Sequence, residues 1–593
     1  MDAVVEKTPT IDQGLHGELM KLYRKYNDGW KDRYSAGADD LAFALGQQWT
    51  AEELAEREGR PSLTINKMMK FINNVNGDQK QNRPEGKVFP VDSKGDVQTA
   101  EVLQDIVRHI EYKSNADAVY DSGFTQCLAG SIGFWRIVSE YEGPDTFEQG
   151  LRIKKIRNQF TVLFDPDAKD PNYTDARAVF IIDKVDRDIF KKKYPKADLS
   201  NFDADYTNAD NADWYHADYV RIAECYYKKT KKKRVALLND GTTVELNADI
   251  TKELLEEQGF EIVKEREAEY DVIYWCKLNG NEVFEGPVEQ PGKFLPVIPI
   301  PGDEIDVQGV PHMFSLIRHA KDPQRMLNYF HSSAVESMAL QGNEPYLVTP
   351  TMIKGHEKEW AEAPRRNRPA RQYNYDVMAG KPERKPPPTV PTGAFAEVDK
   401  FNEEVHDTIG MYAPSFGGQS NERSNQALVT KQRASDKGVF TFFDNHARAV
   451  AHTARVLVDL IPEYYDTERI INIMGDDEKI RQVHINKVQQ NPMTLEEEVV
   501  NDLANAGEYD VVTKSGPGYE TKRAQTAEFL MKFVQFAPQT APRLFPMIAK
   551  NLDAPGAAEV ADLLMQDMQQ QQAVEMQQSM PQGAPQQQPL PMG

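Results

Sequence analysis

The sequence predicts an α+β protein of more than one domain, and three observations predict it. At 593 residues the chain is too long for a single core, so two to four domains are expected. From Leu15 to Ala129 apolar residues recur at helical spacing, whereas from Gly133 the period shifts toward two. From Pro311 to Tyr465 the chain then reads as helix, insert, helix, short loop and one very long helix.

Taken in order, Leu15–Tyr34 is an amphipathic helix with Leu15, Leu19, Leu22 and Tyr26 on one side. Trp49-Thr50 opens a polar helix through Glu58, broken by Gly59-Arg60-Pro61. Ile65–Gln81 turns Ile65, Met68, Met69, Ile72 and Val75 inward, and Val97–Tyr112 and Ala116–Ala129 complete a helical first half. Phe134–Val138, Leu151–Ile156, Thr161–Phe164 and Ala178–Ile182 read as strands, followed by a short helix at Arg187–Tyr194. Val220–Tyr227, Arg234–Leu238 and Val272–Leu278 read as separate further strands, with a helix at Ile250–Glu257. Leu295–Pro301, apolar and proline-bearing, reads as the crossing out of this body.

The central stretch follows. A weak helical start at Met313 restarts at Asp322-Pro323, where Asp322 can cap and Pro323 suits a first position that needs no N–H. Leu327, Phe330, Ala334 and Met338 then share one face to about Gln341. The second helix, Ala394–Met411, repeats the spacing with Phe395, Val398, Phe401, Val405 and Ile409. Each rod is about 27 Å long, which suits an antiparallel pair. Between them, Gly342–Gly393 is rich in proline, which excludes a long helix, and in basic residues, Arg365, Arg366, Arg368, Arg371, Arg384 and Lys385. Tyr346–Val348 and Gln372–Tyr375 are candidates to pair across it. Gly417-Gly418 break the second helix, and a third runs from about Asn425 to Ile461, where Pro462 ends it. Arg469–Ile473, Val483–Ile485 and Tyr509–Val512 read as strands returning toward the body's sheet, and Thr521–Gln535 and Arg543–Asn551 as helices. The glutamine- and proline-rich tail from Met565 buries too little to order itself fully.

The mean hydropathy of −0.63 marks a polar chain, and the net charge of −22 counts against a tight, sequence-independent DNA binder acting through its general surface. They do not exclude a conduit along which a duplex slides. No apolar run approaches a membrane span, and the first residues lack the features of a secretory signal, so no membrane partner is expected. Cys127, Cys225 and Cys276 are isolated among apolar neighbours and read as buried free thiols, suited to a reducing cytoplasm.

A search for catalytic chemistry assigns no catalytic residue, no metal ligand and no cofactor. Gly286–Phe294 is the nearest approach to a phosphate-binding loop, but it is one residue too long, lacks the hydroxyl after Gly292-Lys293, and carries two prolines; a turn between strands is favoured. His446 and His452 are six apart, on different faces of a helix. The run Asp203–Asp213 lacks the glycine and glutamate of a calcium loop and reads as solvated. Lys354, Lys358 and Trp360 mark either a contact or a buried tryptophan.

The order of these elements resembles the portal proteins of tailed phages. KDPQRMLNY, GGQSNERSNQALVTKQR and FFDNHARAVAHTARVLVDLIPEYYDTERIINI are similar to the podovirus-type branch, as are RPSLTINKMMKFINNVNGDQKQNRP at Arg60–Pro84 and FDPDAKDPNYTDARAVF at Phe164–Phe180. The likeness covers roughly Leu15 to Lys550 and lies in the order of the motifs. It implies an α+β wing over 1–309, an antiparallel stem of 310–341 and 394–411, and a small α/β clip over 342–393. A tunnel loop over 412–424 would follow, then the long helix with returning wing strands over 425–519, a helical crown over 520–556 and a partly disordered tail over 557–593. On the same resemblance Ser415, Gln419, Asn421, Glu422 and Arg423 would face DNA in a channel. Arg365, Arg366, Arg368 and Arg371 would meet an acidic partner or DNA, and Leu327, Phe330, Met338, Phe395, Phe401 and Val405 would pack the stem. The implied assembly is a dodecameric ring at one capsid vertex of the virion, assembled in the host cytoplasm. Double-stranded DNA would be packaged and ejected through it. The implied partners are the terminase large subunit, which hydrolyses the ATP, a tail adaptor or head completion protein, and capsid and scaffolding proteins. Leu327→Asp or Phe401→Asp is expected to block the ring and leave a soluble monomer. The rivals are a non-channel virion component, such as a tail adaptor or scaffold, and a nucleic-acid enzyme.

Overall fold

A computed structural model describes residues 13–91, 97–197, 214, 218–239, 241–246, 252–257, 259–341, 346–362, 370–375, 377–378, 380–384, 392–411, 425–474, 480–490, 497–501, 503, 507–514, 529–536, 544–545 and 547–548. The chain divides into two units, Met1–Asn76 with Gly86–Thr513, and Gly77–Glu85 with Lys514–Gly593. The Asp203–Asp213 run, the loop over 412–424 and the tail over 557–593 lie outside the described residues.

The first unit opens on α1, Gln13–Ala44, twelve residues longer than the sequence reading. Its buried Leu19, Tyr26 and Trp30 recur at steps of about one and two turns. Thr50 starts α2, Ala51–Glu56, with a reciprocal capping box to Glu53. Residues 61–67 are extended before α3, Met68–Gln81, so Ile65 precedes the helix that the sequence placed it in. β1, Glu85–Pro90, was not foreseen. Next come α4, Val97–Ser114, and α5, Ala116–Gly130, then β2, Ile132–Tyr141, β3, Gln149–Lys155, β4, Val162–Phe164, and β5, Ala178–Asp186. Asp186 caps α6, Arg187–Lys193, by accepting from the amides of Asp188 and Ile189.

The two strands expected at Val220–Tyr227 and Arg234–Leu238 are one, β6, Tyr219–Leu238. It is followed by β7, Thr243–Leu246, and α7, Lys252–Glu257. The last strand of that group grows backward into β8, Ile262–Leu278. β6 and β8 pair along nearly their whole length, with β9, Val283–Gln290, beside β8. The segment that distantly resembled a phosphate loop is therefore sheet to Gln290, and only the residues after it turn. The sheet order is β4-β5-β6-β8-β9, with β7 on the edge of β6.

Leu295–Pro301 is not a mere crossing: its residues Val297–Pro301 form β10, wholly buried and antiparallel to β2 in the sheet β10-β2-β3. Two prolines are tolerated because β10 is an edge strand. The hairpin of β11, Asp303–Val307, and β12, Val310–Phe314, follows. Then come α8, Lys321–Gln341, the insert elements β13, Tyr346–Leu347, α9, Pro350–Ile353, α10, Glu357–Ala361, and β14, Glu383–Arg384, and α11, Thr392–Ile409. α12 runs Asn425–Tyr464, past Pro462, which sits in its last turn. β15, Arg469–Met474, pairs with β16, Ile480–Ile485, and β17, Lys487–Gln490, with β18, Glu497–Val500, as separate hairpins. Among the described strands after α12, only β19, Tyr509–Lys514, pairs with a strand from the first part of the chain, β1.

Two hydrophobic cores hold this unit. One joins Leu19, Tyr26 and Trp30 of α1 to Phe164, Phe180, Cys225 and Cys276 of the large sheet, and Trp30 Nε1 donates to Phe164 O at 2.8 Å. The other joins α3, α4, α5, β2, β10 and the C-terminal half of α12. α5 and β2 meet at two glycines: a Cβ on Gly133 would lie 1.9 Å from the carbonyl oxygen of Gly123, so no larger residue fits there. All three cysteines are free and buried, and Cys225 stands opposite Cys276 across β6 and β8.

In the second unit the described residues 529–536 are helical. Phe529, Phe533 and Phe536 are exposed on it, with the rings of Phe529 and Phe533 6.5 Å apart.

Candidate functional site

The helix pair and its insert extend beyond the core, which takes in only the end of α11 at Val405 and Ile409. α8 and α11 pack together, with the rings of Phe330 and Phe401 stacked 5.2 Å apart at 27°. Leu327, Ala334, Val405 and Ile409 are buried along the seam. α3 closes its base, where Phe71 meets the His406 ring edge-on at 5.0 Å. His406 Nδ1 bonds the carbonyl of Met411, and burial holds its pKa below the ordinary value. Lys67 reaches Asn402 of α11, and burial, then neighbouring Lys70, lowers its pKa. The side chain of Phe395 lies outside the described residues.

A second face of α8 carries a feature that sequence reasoning missed. Gln324, Asn328, Ser332 and Glu336 lie at four-residue steps, and the first three are buried. They form a polar rail for the extended segment 61–67. Leu63 N donates to Ser332 Oγ at 2.9 Å, Ile65 N donates to Asn328 Oδ1 at 2.9 Å, and Gln324 Nε2 donates to Ile65 O at 2.8 Å. Asn328 Nδ2 continues the chain to Gln48 Oε1 at 2.6 Å. Arg57 pairs with Glu336 at 3.5 Å and stands over the rings of Trp49 and Tyr329. The rail replaces the backbone partners that an extended segment without a sheet would lack. The signal was present as polar residues recurring every four positions beside the apolar stripe of the helix.

The base of α8 is fixed by charge. Asp40 of α1, fully buried, accepts from Ser315 Oγ at 2.7 Å, from Arg318 Nε and from Lys321 Nζ at 3.0 Å, and Lys321 also reaches Asp39. Farther along, the stripe on the buried side continues through Val335 and Met338, yet these are 41% and 51% exposed. Met326 and Tyr329, nearer the base, are 48% and 51% exposed. The apolar surface of this helix thus outruns what its own chain covers.

The insert has a small core of its own. Tyr346 and Trp360 meet edge-on at 5.5 Å, and the Arg371 guanidinium lies over both rings, 5.0 and 5.9 Å from their centres. Trp360 Nε1 donates to Gln372 O at 2.8 Å, so it fastens the insert, while Lys354 accepts through its carbonyl from Asn374 Nδ2 at 2.7 Å. β13 pairs with β14, not with Gln372–Tyr375 as the sequence suggested. Arg365, Arg366 and Arg368 lie outside the described residues, as do Ser415, Gln419, Asn421, Glu422 and Arg423. Tyr375, Val377 and Met378 are exposed.

α12 is buried on nearly every side from Asn445 to Ile461. His446 sits among the rings of Tyr120, Phe124 and Trp135, and Thr453 accepts from Trp135 Nε1 at 2.8 Å. His452 meets Phe294 edge-on, and burial, then the charge of Arg455, lowers its pKa to about 4. Among the described residues no group of three or more His, Cys, Asp or Glu is arranged to hold a metal ion, and no helix is long and apolar enough to cross a membrane.

Comparison with known proteins agrees with the order of these elements. The family model described as "Phage P22-like portal protein" matches residues 20–592. The chain is also 25% identical over 584 residues to a portal protein of Acyrthosiphon pisum secondary endosymbiont phage 1, covering 92% of this chain and 80% of that protein. A family match across nearly the whole sequence places a structural component of a phage particle behind this fold: the chain belongs to the P22-like phage portal protein family.

Proposed function

We propose that copies of this chain form a ring, a dodecamer, at one vertex of the capsid, through which double-stranded DNA enters during packaging and leaves at ejection. α8 and α11 act as the stem around the bore. The insert acts as the clip that docks the terminase large subunit during packaging and a tail adaptor afterwards, with Arg365, Arg366, Arg368 and Arg371 toward carboxylates or phosphates. The loop over 412–424 acts as the tunnel loop, with Ser415, Gln419, Asn421, Glu422 and Arg423 toward the duplex. The body over 1–309 and the strands after α12 act as the wing against capsid and scaffolding proteins.

The observation that supports this reading best is the apolar stripe of α8 that continues, exposed, through Val335 and Met338. One helix pair cannot cover that surface. Identical neighbours can, through head-to-tail contacts that close on themselves. Electron-microscope class averages of the purified protein test the reading. Rings with a bore wide enough for a duplex are expected; rods or single subunits overturn it.

A further inference from the structure

The outer half of the β6–β8 hairpin sorts its charges by face. In β8, Lys264, Arg266, Ala268, Tyr270 and Val272 alternate with Glu265, Glu267, Glu269 and Asp271, so every carboxylate of that stretch is on one side. The register sets Lys229, Lys231, Lys233 and Val235 of β6 opposite Val272, Tyr270, Ala268 and Arg266, on the other side. Contacts confirm the shared face. Lys231 Nζ lies 5.4 Å from the centre of the Tyr274 ring and 2.9 Å from Glu289, and Lys233 Nζ lies 4.8 Å from the Tyr270 ring centre and 3.1 Å from Glu245. The face therefore carries five cations against two carboxylates, an excess of three in a chain whose net charge is −22. Lys229, Lys264 and Arg266 are exposed.

We infer that this lysine–tyrosine face is a docking strip for the phosphate backbone of double-stranded DNA, read without regard to sequence. Lysine is depleted from protein–protein interfaces but typical of phosphate contacts. A lysine ammonium stands over each of the Tyr274 and Tyr270 rings, so the strip presents charge and not a bare apolar anchor for a protein partner. Alternate residues of a strand recur about every 6.7 Å, close to two phosphate steps of about 3.4 Å along one strand of a duplex. The strip lies on the sheet body, so its role is separate from any passage of DNA between the stems.

The test is fluorescence anisotropy of a labelled duplex with the full chain, parent against the triple variant Lys229→Glu, Lys264→Glu, Arg266→Glu. Three phosphate contacts give the parent a roughly 40-fold loss of affinity between about 50 and 200 mM salt. The triple variant is expected to lose at least tenfold at the lower salt and most of that salt dependence. The charge-conserving Lys229→Arg, Lys264→Arg pair is expected to keep parental binding. Glu substitution of Lys232, on the opposite face, serves as the control and is expected to bind like the parent. A triple variant that keeps its thermal midpoint and binds the duplex as tightly as the parent overturns the inference. So does a strip that binds poly-glutamate but not duplex, which would assign it to an acidic polypeptide.

Discussion

α8 and α12 are both long helices with polar residues at regular intervals, but they are held in opposite ways. The C-terminal half of α12 is enclosed by α4, α5, β3 and β10, and its polar groups are settled inside: Asn445 donates to the carbonyls of Pro301 and Gly302, and Thr453 to that of Ala449. α8 is fixed at its base by Asp40 and along one side by the rail, while Met326, Val335 and Met338 face outward. A helix of the first kind draws its stability from its own chain. One of the second kind is positioned by its chain and completed by something else.

The largest effect that would sharpen this contrast is at the base of α8. Asp40→Ala leaves Lys321 and Arg318 facing a buried gap, a loss of roughly 3–5 kcal/mol. A thermal midpoint within a degree of the parent would show that α8 does not depend on that cluster.

The next concerns α12 alone. His452 is neutral in the fold and takes up a proton on unfolding, because its folded pKa, about 4, lies below the ordinary value. Its contribution is therefore complete above about pH 6.5 and is lost as pH falls toward 4, roughly 3 kcal/mol in all. Denaturant titrations across that window are expected to show a stability slope in the parent and a shallower one in His452→Gln. Equal slopes would remove His452 from the acid sensitivity.

Smaller again, Asn328→Ala strips the acceptor from Ile65 N–H and costs about 1–3 kcal/mol. Hydrogen exchange is expected to quicken at Leu63 and Ile65 and to stay slow in α12; equal quickening in both would erase the distinction.

Last, Met326→Asp is expected to change single-chain stability by no more than about 0.5 kcal/mol and yet to abolish assembly. Native mass spectrometry reads it directly, and full rings from this variant would detach assembly from that surface. Leu327, chosen for this purpose from sequence, is fully buried within the chain, so an aspartate there would disrupt the helix pair itself.

The contrast also explains what the sequence made legible. α8, α11 and α12 were readable because their apolar residues repeat at three and four, and β2, β4 and β5 because each holds a buried run of apolar, β-branched and aromatic residues. The stretches Lys228–Lys233 of β6 and Ile262–Asp271 of β8 were not, because KKTKKK is uniformly basic and KEREAEYD alternates by charge sign, so neither presents an apolar face. β10 was hidden by its prolines, and Pro462 misled because the helix runs two residues past it to Tyr464 despite the backbone bond that the proline removes. The polar rail was missed since its partner is backbone some 260 positions away, a pairing that no local pattern encodes. Of the candidate site, Phe330 and Phe401 are brought together across the seam, Leu327 and Val405 are buried, and Arg371 turns inward onto Tyr346 and Trp360.

One small sheet has a consequence for synthesis. Among the described residues β1 finds its strand partner in β19, so roughly four hundred residues must leave the ribosome before that edge is closed. Until then the nascent chain exposes an unpaired strand beside a growing body, the kind of edge that invites pairing with another chain. Slow translation, or truncation just before Tyr509, should thus favour aggregation over a soluble fragment, and a peptide spanning β19 added in trans should suppress it.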